Sequence, residues 1–295
     1  MSVSDKLFYN EASAAKLGWT PRWFGCKEFD DNLIDSIADY QSKNGLTADG
    51  LCGPGTYRII FTERESNIQT YSPTGPRGNG SIVYAGNPFK IEWDKVSLWS
   101  EPGALKANTG TYQNMAGQPL RNPTFFVNHW DVCLSSTSCA QVLNNRVISV
   151  HFCIDNDGTI HQMLDIQHIA WHAGGTVWNQ RSIGVEVSDA YDLKYQSWYE
   201  AQGLGERPIW SDKKVHGATL SPFLGFYPVQ LEALKALWKA VSNACNMPLK
   251  SPDVADGVDP TCAAGDFKGF CSHYNLTRGK IDCAGLDIKS MLEEI

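Results

Sequence analysis

The segment VISVHFCIDNDGTIHQML, residues 147–164, decides the fold class of this chain. Its two apolar runs, VISVHFCI and TIHQML, flank DNDG at 155–158, and an Asp-Gly step between such runs favours a tight turn. This pattern predicts a β-hairpin. Two further runs rich in Val, Ile and Phe, PTFFVNH (123–129) and SIGVEVS (182–188), predict more strands, so we expect a mixed sheet.

Helices are predicted after these strands. PVQLEALKALWKAVSNAC (228–245) begins with proline and repeats apolar residues at helical spacing, so one of its faces should pack on the sheet. The closing segment GLDIKSMLEEI (285–295) is typical of a short amphipathic helix. Strands with long helices packed on them indicate an α/β or α+β fold, here a mixed central β-sheet flanked by helices.

The N-terminal residues predict a separate helical unit. One helical pattern begins at Asp30 and ends at Gly45, and a second short helix is predicted from Thr56 to Phe61. The segment SPTGPRGNGS that follows is rich in Pro, Gly and Ser, which is typical of a linker. We therefore expect a helical domain at 1–70, a linker at 71–88 and a sheet-containing domain at 89–295.

Composition and charge exclude several classes of protein. The 295 residues carry a formal net charge of −7, and this acidic balance argues against nucleic acid as a partner. No stretch approaches the roughly 20 apolar residues of a membrane helix, so no membrane insertion is expected. The first residues lack the basic start and apolar run of a secretory signal, so we expect a protein made in the cytoplasm. We also expect a monomer.

The nine cysteines are odd in number and irregularly spaced. For a chain made in the cytoplasm, a mostly reduced set is expected rather than a disulfide framework. Cys133 with Cys139, and Cys262 with Cys271, are close enough in sequence to leave a disulfide open.

Three separated signals could carry chemistry. His129 ends an apolar strand, and Glu186 lies within SIGVEVS, where a carboxylate is costly unless it has a partner or a function. The segment SHYNLTRGKID brings together His273, Lys280 and Asp282. Two histidines and one aspartate, with a fourth position left to water, form the ligand set of a catalytic zinc. Taken alone, each signal has a commoner structural explanation, such as a surface histidine, an ion-paired glutamate or a solvated turn.

The ordered motifs within 123–287 resemble the type-2 N-acetylmuramoyl-L-alanine amidases, zinc enzymes that share a fold with peptidoglycan recognition proteins and amidase-type phage lysozymes. The similarity runs through FFVNHW, SVHFCIDNDGTIHQML, AWHAGG, NQRSIGVEV and SHYNLTRGKID. Val150 stands where the phage lysozyme branch has tyrosine, which favours the branch that relies on a glutamate. The resemblance implies a Zn²⁺ ion held by His129, His273 and Asp282, with Glu186 and Lys280 as the catalytic pair.

The same resemblance implies further site positions. His151 and His172 match histidines that line the family's groove, where each would contact substrate or support the ligands, and Asn179 is a candidate substrate contact. Some relatives use cysteine as the third metal ligand, and Cys283 directly follows Asp282. The spacing between the lysine and the ligand favours Asp282.

The physical chemistry of these residues agrees with what the family implies. Hydrolysis of an unactivated amide needs a polarised carbonyl and an activated water, both of which zinc can supply. Glu186 would move the water's proton to the leaving nitrogen, and we expect Val185 and Val187 to give it an apolar setting. Lys280 would place a positive charge near the oxyanion as it forms.

Two further segments have alternative interpretations. YQSKNGLTADGLCGPGTYRII is similar to the second half of the small three-helix peptidoglycan-binding domain, which implies wall anchoring; a structural cap is the alternative. The segment 189–227 is longer than the family core needs, and forms either one wall of a glycan groove or a local core. Its aromatic residues are Tyr191, Tyr195, Trp198, Tyr199 and Trp210.

The sequence favours a modular amidase that cuts bacterial peptidoglycan, specifically a phage endolysin made in the host cytoplasm that acts on the wall after release. A non-catalytic peptidoglycan recognition protein is one alternative, although such proteins often lose a metal ligand. A cytoplasmic amidase that recycles muropeptides is another, although a wall-binding domain would bring it no advantage.

Overall fold

The computed structural model describes residues 1–68, 70–73 and 80–295. The chain divides into two compact units, Met1–Gln69 and Thr70–Ile295. The first unit is helical and the second contains the sheet, so the predicted fold class is confirmed.

Within its described residues, the first unit consists of three α-helices and a 3₁₀ turn. The helices are α1 (Val3–Leu17), α2 (Asp31–Lys43) and α3 (Pro54–Ile68), with the turn at Pro21–Phe24. The Asp30 side chain accepts a hydrogen bond from the amide of Leu33 at 3.1 Å, and Gly45 has φ of +68° just past the end of α2. Both predicted limits of α2 are therefore confirmed, whereas α3 begins earlier and runs further than predicted.

The buried side chain of Gln41 organises the turn between α2 and α3. Its amide nitrogen donates to Asp49 Oδ1, the Leu51 carbonyl and Thr56 Oγ1 at 2.8 to 3.0 Å. Its amide oxygen accepts from the Gly50 N–H at 2.9 Å. The polar side chains of the segment YQSKNGLTADGLCGPGTYRII thus have a folding role in this chain, because they form hydrogen bonds with one another inside the unit.

The second unit is built on a six-stranded mixed sheet. In chain order the strands of this unit are β1 (Ser81–Tyr84), β2 (Asn87–Lys90), β3 (Val96–Leu98), β4 (Tyr112–Gln113), β5 (Phe125–Trp130), β6 (Phe152–Ile154), β7 (Ile160–Gln162), β8 (Ile169–Ala170), β9 (Ser182–Val187), β10 (Ile209–Trp210), β11 (Lys214–Val215), β12 (Ala218–Thr219), β13 (Phe223–Leu224) and β14 (Gly269–Ser272). The central sheet has the order β14-β5-β9-β6-β7-β3. Only β6 and β7 pair antiparallel in it, through the predicted hairpin, and the other neighbours are parallel.

Helices flank this sheet. They are α4 (Ser136–Arg146), α5 (Thr176–Arg181), α6 (Gln196–Ala201), α7 (Pro228–Cys245), α8 (Pro260–Ala264) and α9 (Ile288–Glu293). The predicted helix over 228–245 is confirmed as α7, and its buried Leu234 and Trp238 belong to the same core cluster as Phe152 and Val185 of the sheet. One face of the sheet is therefore closed by α7.

Two predicted boundaries differ from the structure. The run 147–154 is a strand only over its last three residues, because Val147 ends α4 with φ of +59°. The predicted linker 71–88 includes the β1 strand, which pairs with β2 and buries Ile82 in the main core. Residues 74–79 of that linker lie outside the described residues.

Three of the five aromatic residues named in the 189–227 segment form a local core, and Tyr191 and Trp210 pack against the main core. Tyr195, Trp198 and Tyr199 are buried in one cluster, so a wall of exposed aromatics for sugar rings is wrong for them. Trp210 packs against Phe226 with ring centroids 5.3 Å apart. Sequence periodicity could not decide this point, because burial here depends on how the segment folds back on the domain.

A buried polar network lies beside this local core. The Arg207 guanidinium lies between the rings of Tyr199 and Tyr227, at 4.5 and 4.3 Å from their centroids. Asp131 accepts from the amides of Cys133 and Asp189 at 2.9 and 3.0 Å. Burial raises the pKa of Asp131 to about 8, although these hydrogen bonds oppose the rise.

All nine cysteines are free thiols in the structure, including the two pairs for which a disulfide was left open. Among the described residues, no helix combines the length and the apolar character needed to cross a membrane.

Candidate functional site

The sheet places His129 and Glu186 side by side. The two residues are register partners on the parallel strands β5 and β9, so their side chains leave the same face. Val185 and Val187 leave the opposite face and join the core cluster of α7. The expectation that these valines surround Glu186 is therefore wrong; its neighbour across the sheet on the other side is Cys153 of β6.

His129, His273 and Asp282 converge at one point. Nδ1 of His129 and Nδ1 of His273 lie 3.0 and 3.1 Å from the same oxygen, Oδ2 of Asp282. The strand β14 pairs with β5 and ends at Ser272, which brings His273 beside His129 although the two are far apart along the chain. Candidate ligand atoms of the three residues lie within 4.8 Å of one another. Among the described residues, these three form the group that could hold a metal ion.

Each histidine of this group has its second ring nitrogen beside an acceptor. Nε2 of His129 lies 3.0 Å from Nδ1 of His172, and Nε2 of His273 lies 3.3 Å from the Ala173 carbonyl oxygen. A proton on each Nε2 leaves both Nδ1 lone pairs directed at Asp282. This is the tautomer that a pair of metal-ligating histidines requires.

The protonation states also suit a cation. Burial, and then the neighbouring His273, lower the pKa of His129 to about 4, with Asp282 opposing and Lys280 adding slightly. Burial alone would raise the pKa of Asp282, but its two histidine neighbours outweigh burial and hold it well below the usual range. Near neutral pH the group therefore offers a neutral imidazole of His129 and a carboxylate, the forms that bind zinc.

The alternative ligand Cys283 lies elsewhere. Its side chain is buried in the core cluster shared with α7. Burial, and then the charge of Asp282, raise the pKa of this thiol well above its ordinary value. A thiolate is the form that binds metal, so the position of Cys283 favours Asp282 as the third ligand.

The remaining predicted site residues occupy different depths. Lys280 is exposed, on the loop between His273 and Asp282. His172 is partly exposed beside His129. Asn179 is partly buried, and its Oδ1 accepts from the amides of His172 and Ala173 at 3.1 and 2.8 Å. Asn179 thus fixes the loop that faces both histidines, rather than presenting this oxygen to a substrate.

His151 lies behind the site. It has no exposed surface, and its Nδ1 accepts from the Gly184 N–H at 3.1 Å while Nε2 lies 3.1 Å from the His168 carbonyl oxygen. Of the two roles predicted for His151, direct contact with a substrate is inconsistent with this burial. The position suits support of the neighbouring His172, whose ring centroid is 6.0 Å away.

Arg121 is a residue that the sequence patterns missed. Its guanidinium is buried, and it donates to the carbonyl oxygens of Ile166 and His168 at 2.7 and 2.8 Å, and to that of Asn179 at 3.2 Å. It also donates to the carbonyl of Ser182. Arg121 therefore ties the segment around 166–168 to the start of β9. Because its partners are mainly main-chain atoms, no side-chain motif reveals it.

Comparison with known proteins identifies a family for this chain. The family model described as N-acetylmuramoyl-L-alanine amidase matches residues 119–273, which include His129, Glu186 and His273 and end before Lys280 and Asp282. No curated protein sequence matches the chain significantly.

Three of the solved structures that match the chain are the following. A selenomethionine AmpD derivative has 18% identity and a TM-score of 0.36, covering 66% of this chain and 96% of that one. The endolysin N-acetylmuramoyl-L-alanine amidase LysCS from Clostridium intestinale URNW has 15% identity and a TM-score of 0.37, covering 68% and 94%. The amidase LysC from the same strain has 17% identity and a TM-score of 0.37, covering 66% and 97%.

Proposed function

This chain belongs to the N-acetylmuramoyl-L-alanine amidase family, and from that premise we propose that it is a zinc-dependent hydrolase. Its substrate would be the amide bond between the lactyl group of N-acetylmuramic acid and L-alanine in bacterial peptidoglycan. The observation that carries the proposal is the convergence of His129, His273 and Asp282 beside Glu186.

In this proposal His129, His273 and Asp282 would hold the ion, with Nδ1 of each histidine and Oδ2 of the aspartate as the candidate donor atoms. A bound zinc supplies a Lewis acid and lowers the pKa of a water toward about 7. The donor set supports this role, because it combines two buried nitrogen ligands with one carboxylate, a set that catalytic zinc sites complete with water.

The two other residues of the site move protons and stabilise charge. The carboxylate of Glu186 accepts a proton from the attacking water and delivers it to the leaving nitrogen, for which its place beside His129 is suitable. Lys280 carries its positive charge on the exposed rim, where it opposes the negative charge that develops on the carbonyl oxygen.

We also propose that the protein acts on the intact wall, as an endolysin does, after synthesis in a host cytoplasm. Support comes from the motif between α2 and α3, which resembles that of small peptidoglycan-binding domains. Its polar residues build the turn of a small helical unit. Attachment of such a unit to an insoluble polymer would raise the local concentration of the catalytic unit.

The test is hydrolysis of purified peptidoglycan by the wild type, Glu186→Ala and His273→Ala, with the zinc content of each sample measured. The wild type should hold about one zinc per chain and expose N-terminal L-alanine. Both variants should lose activity, and only His273→Ala should lose metal. Binding of wall fragments without release of peptide would instead indicate a recognition protein, and cleavage of soluble muropeptides alone would indicate a recycling enzyme.

A further inference from the structure

The two histidines of the candidate metal centre are held by different kinds of partner. The Nε2 atom of His273 faces a main-chain oxygen, that of Ala173. The Nε2 atom of His129 faces a side chain, that of His172, at 3.0 Å. The orientation of His129 therefore depends on a group that a single substitution can remove.

The hydrogen bonds on the far side of the His172 ring determine which of its nitrogens carries the proton. Ser182 donates its hydroxyl proton to the Trp178 carbonyl at 2.7 Å, so its oxygen is left to accept from Nε2 of His172 at 3.1 Å. With its proton on Nε2, His172 has a lone pair on Nδ1. That lone pair can accept the Nε2–H of His129, which would leave the Nδ1 lone pair of His129, beside Asp282, available to a metal ion.

The ring of His172 occupies space that a glycine provides. A Cβ atom at position 184 would lie 2.6 to 2.7 Å from three atoms of this ring, closer than real Cβ contacts. Gly184 lies on β9 between Ser182 and Glu186, on the same face as both. The close approach of the ring to the strand therefore requires a residue without a side chain at position 184.

The buried Arg121 supports the part of β9 that lies under the His172 ring. It binds the carbonyl of Ser182, the residue whose hydroxyl oxygen accepts from His172. The Gly184 N–H is held by Nδ1 of His151, whose Nε2 then carries a proton and faces the His168 carbonyl, an oxygen that Arg121 also binds. Arg121 therefore fixes Ser182 directly, and His151 fixes Gly184.

We propose that His172 is a positioning residue that sets the tautomer and ring orientation of His129 for the metal, on a seat made by Ser182, Gly184 and Arg121. This inference rests on the zinc site proposed above. Partners of this kind commonly change metal affinity by about 10- to 100-fold when removed. The same loss is expected for His172→Ala.

The test compares His172→Ala, His172→Asn and the control His168→Asn in their zinc affinity, measured by competition with a chromophoric chelator, and in kcat and KM on a soluble muropeptide. Asparagine can place its amide oxygen near the position of Nδ1, so His172→Asn should retain zinc affinity within a few-fold of the wild type. His168, whose ring stacks on Tyr112, should tolerate the same change. Wild-type zinc affinity in His172→Ala would overturn the proposal.

A second measurement needs neither zinc nor activity. Crystal structures of the metal-free proteins should show Nε2 of His129 within hydrogen-bond distance of Nδ1 of His172 in the wild type, and a rotated His129 ring in His172→Ala. An unchanged His129 ring in His172→Ala would overturn the positioning role. If instead the ring rotates in His172→Ala and the wild type binds no zinc, the positioning stands and the proposed zinc enzyme fails.

Discussion

The substitution Gly184→Ala should impair the candidate metal site by displacing the His172 ring. In Gly184→Ala the new Cβ would lie 2.6 Å from the His172 ring, whereas an ordinary contact starts at 3.4 Å, so the ring must retreat by about 0.8 Å. A shift of that size along the 3.0 Å contact between His172 and His129 would end the hydrogen bond. Misplacement of about 1 Å can cost about 10²-fold in rate.

We therefore expect kcat to fall about 10²-fold, with zinc affinity reduced about 10- to 100-fold. The assay is turnover of a soluble muropeptide, normalised to folded protein by circular dichroism, with zinc affinity measured on the same samples. Gly55→Ala is the matched control, because a Cβ there meets no atom within 4 Å and its backbone is helical. Wild-type turnover and zinc affinity in folded Gly184→Ala would refute the reasoning.

Four further predictions follow from the structure. Lys280→Ala should lower kcat about 10²-fold at unchanged zinc content, because the rim loses its positive charge; Lys289→Ala, on α9, should not. The free energy of unfolding should fall as pH rises from 6.5 to about 8, because the folded Asp131 still binds a proton that the unfolded chain has released. Buried histidines such as His161 oppose this trend only below pH 6.5. In Asp131→Asn, the free energy of unfolding measured by urea titration should depend less on pH in that range. Zinc at a hundred times its Kd should raise the free energy of unfolding by about 2.7 kcal/mol, and a calorimetric transition insensitive to chelation would contradict this. Deletion of residues 1–69 should reduce cleavage of sacculi at least about tenfold and spare soluble muropeptides, whereas equal loss on both would argue against wall anchoring.

The parts of the site that local patterns could predict are those that lie on strands. Alternation along SIGVEV puts Glu186 on the less apolar face of its strand, FFVNHW places His129 near the end of an apolar strand, and the DNDG turn predicts the hairpin. His273 and Asp282 lie in one short segment, and the structure brings Nδ1 of the first within 3.1 Å of Oδ2 of the second. These local patterns make the residues candidates, and the ordered family motifs single them out.

Other features depend on contacts between distant segments. Val185 and Val187 adjoin Glu186 in sequence but leave the opposite face, so proximity along the chain misled the expectation about its surroundings. Arg121 binds main-chain oxygens, which every residue type carries, so its partners have no sequence signature. The depth of His151 depends likewise on the assembled sheet.

The edge position of β14 affects how quickly the protein could exchange its metal. This strand lies at one of the two edges of the central sheet and pairs there with β5, and His273 and Asp282 both follow it in the chain. Fraying of one strand would release two of the three proposed ligands together, while His129 stays on an inner strand. Metal escape should then follow a local opening, so amide hydrogen exchange in β14 and the rate of zinc loss to a chelator should change in parallel among variants of that strand.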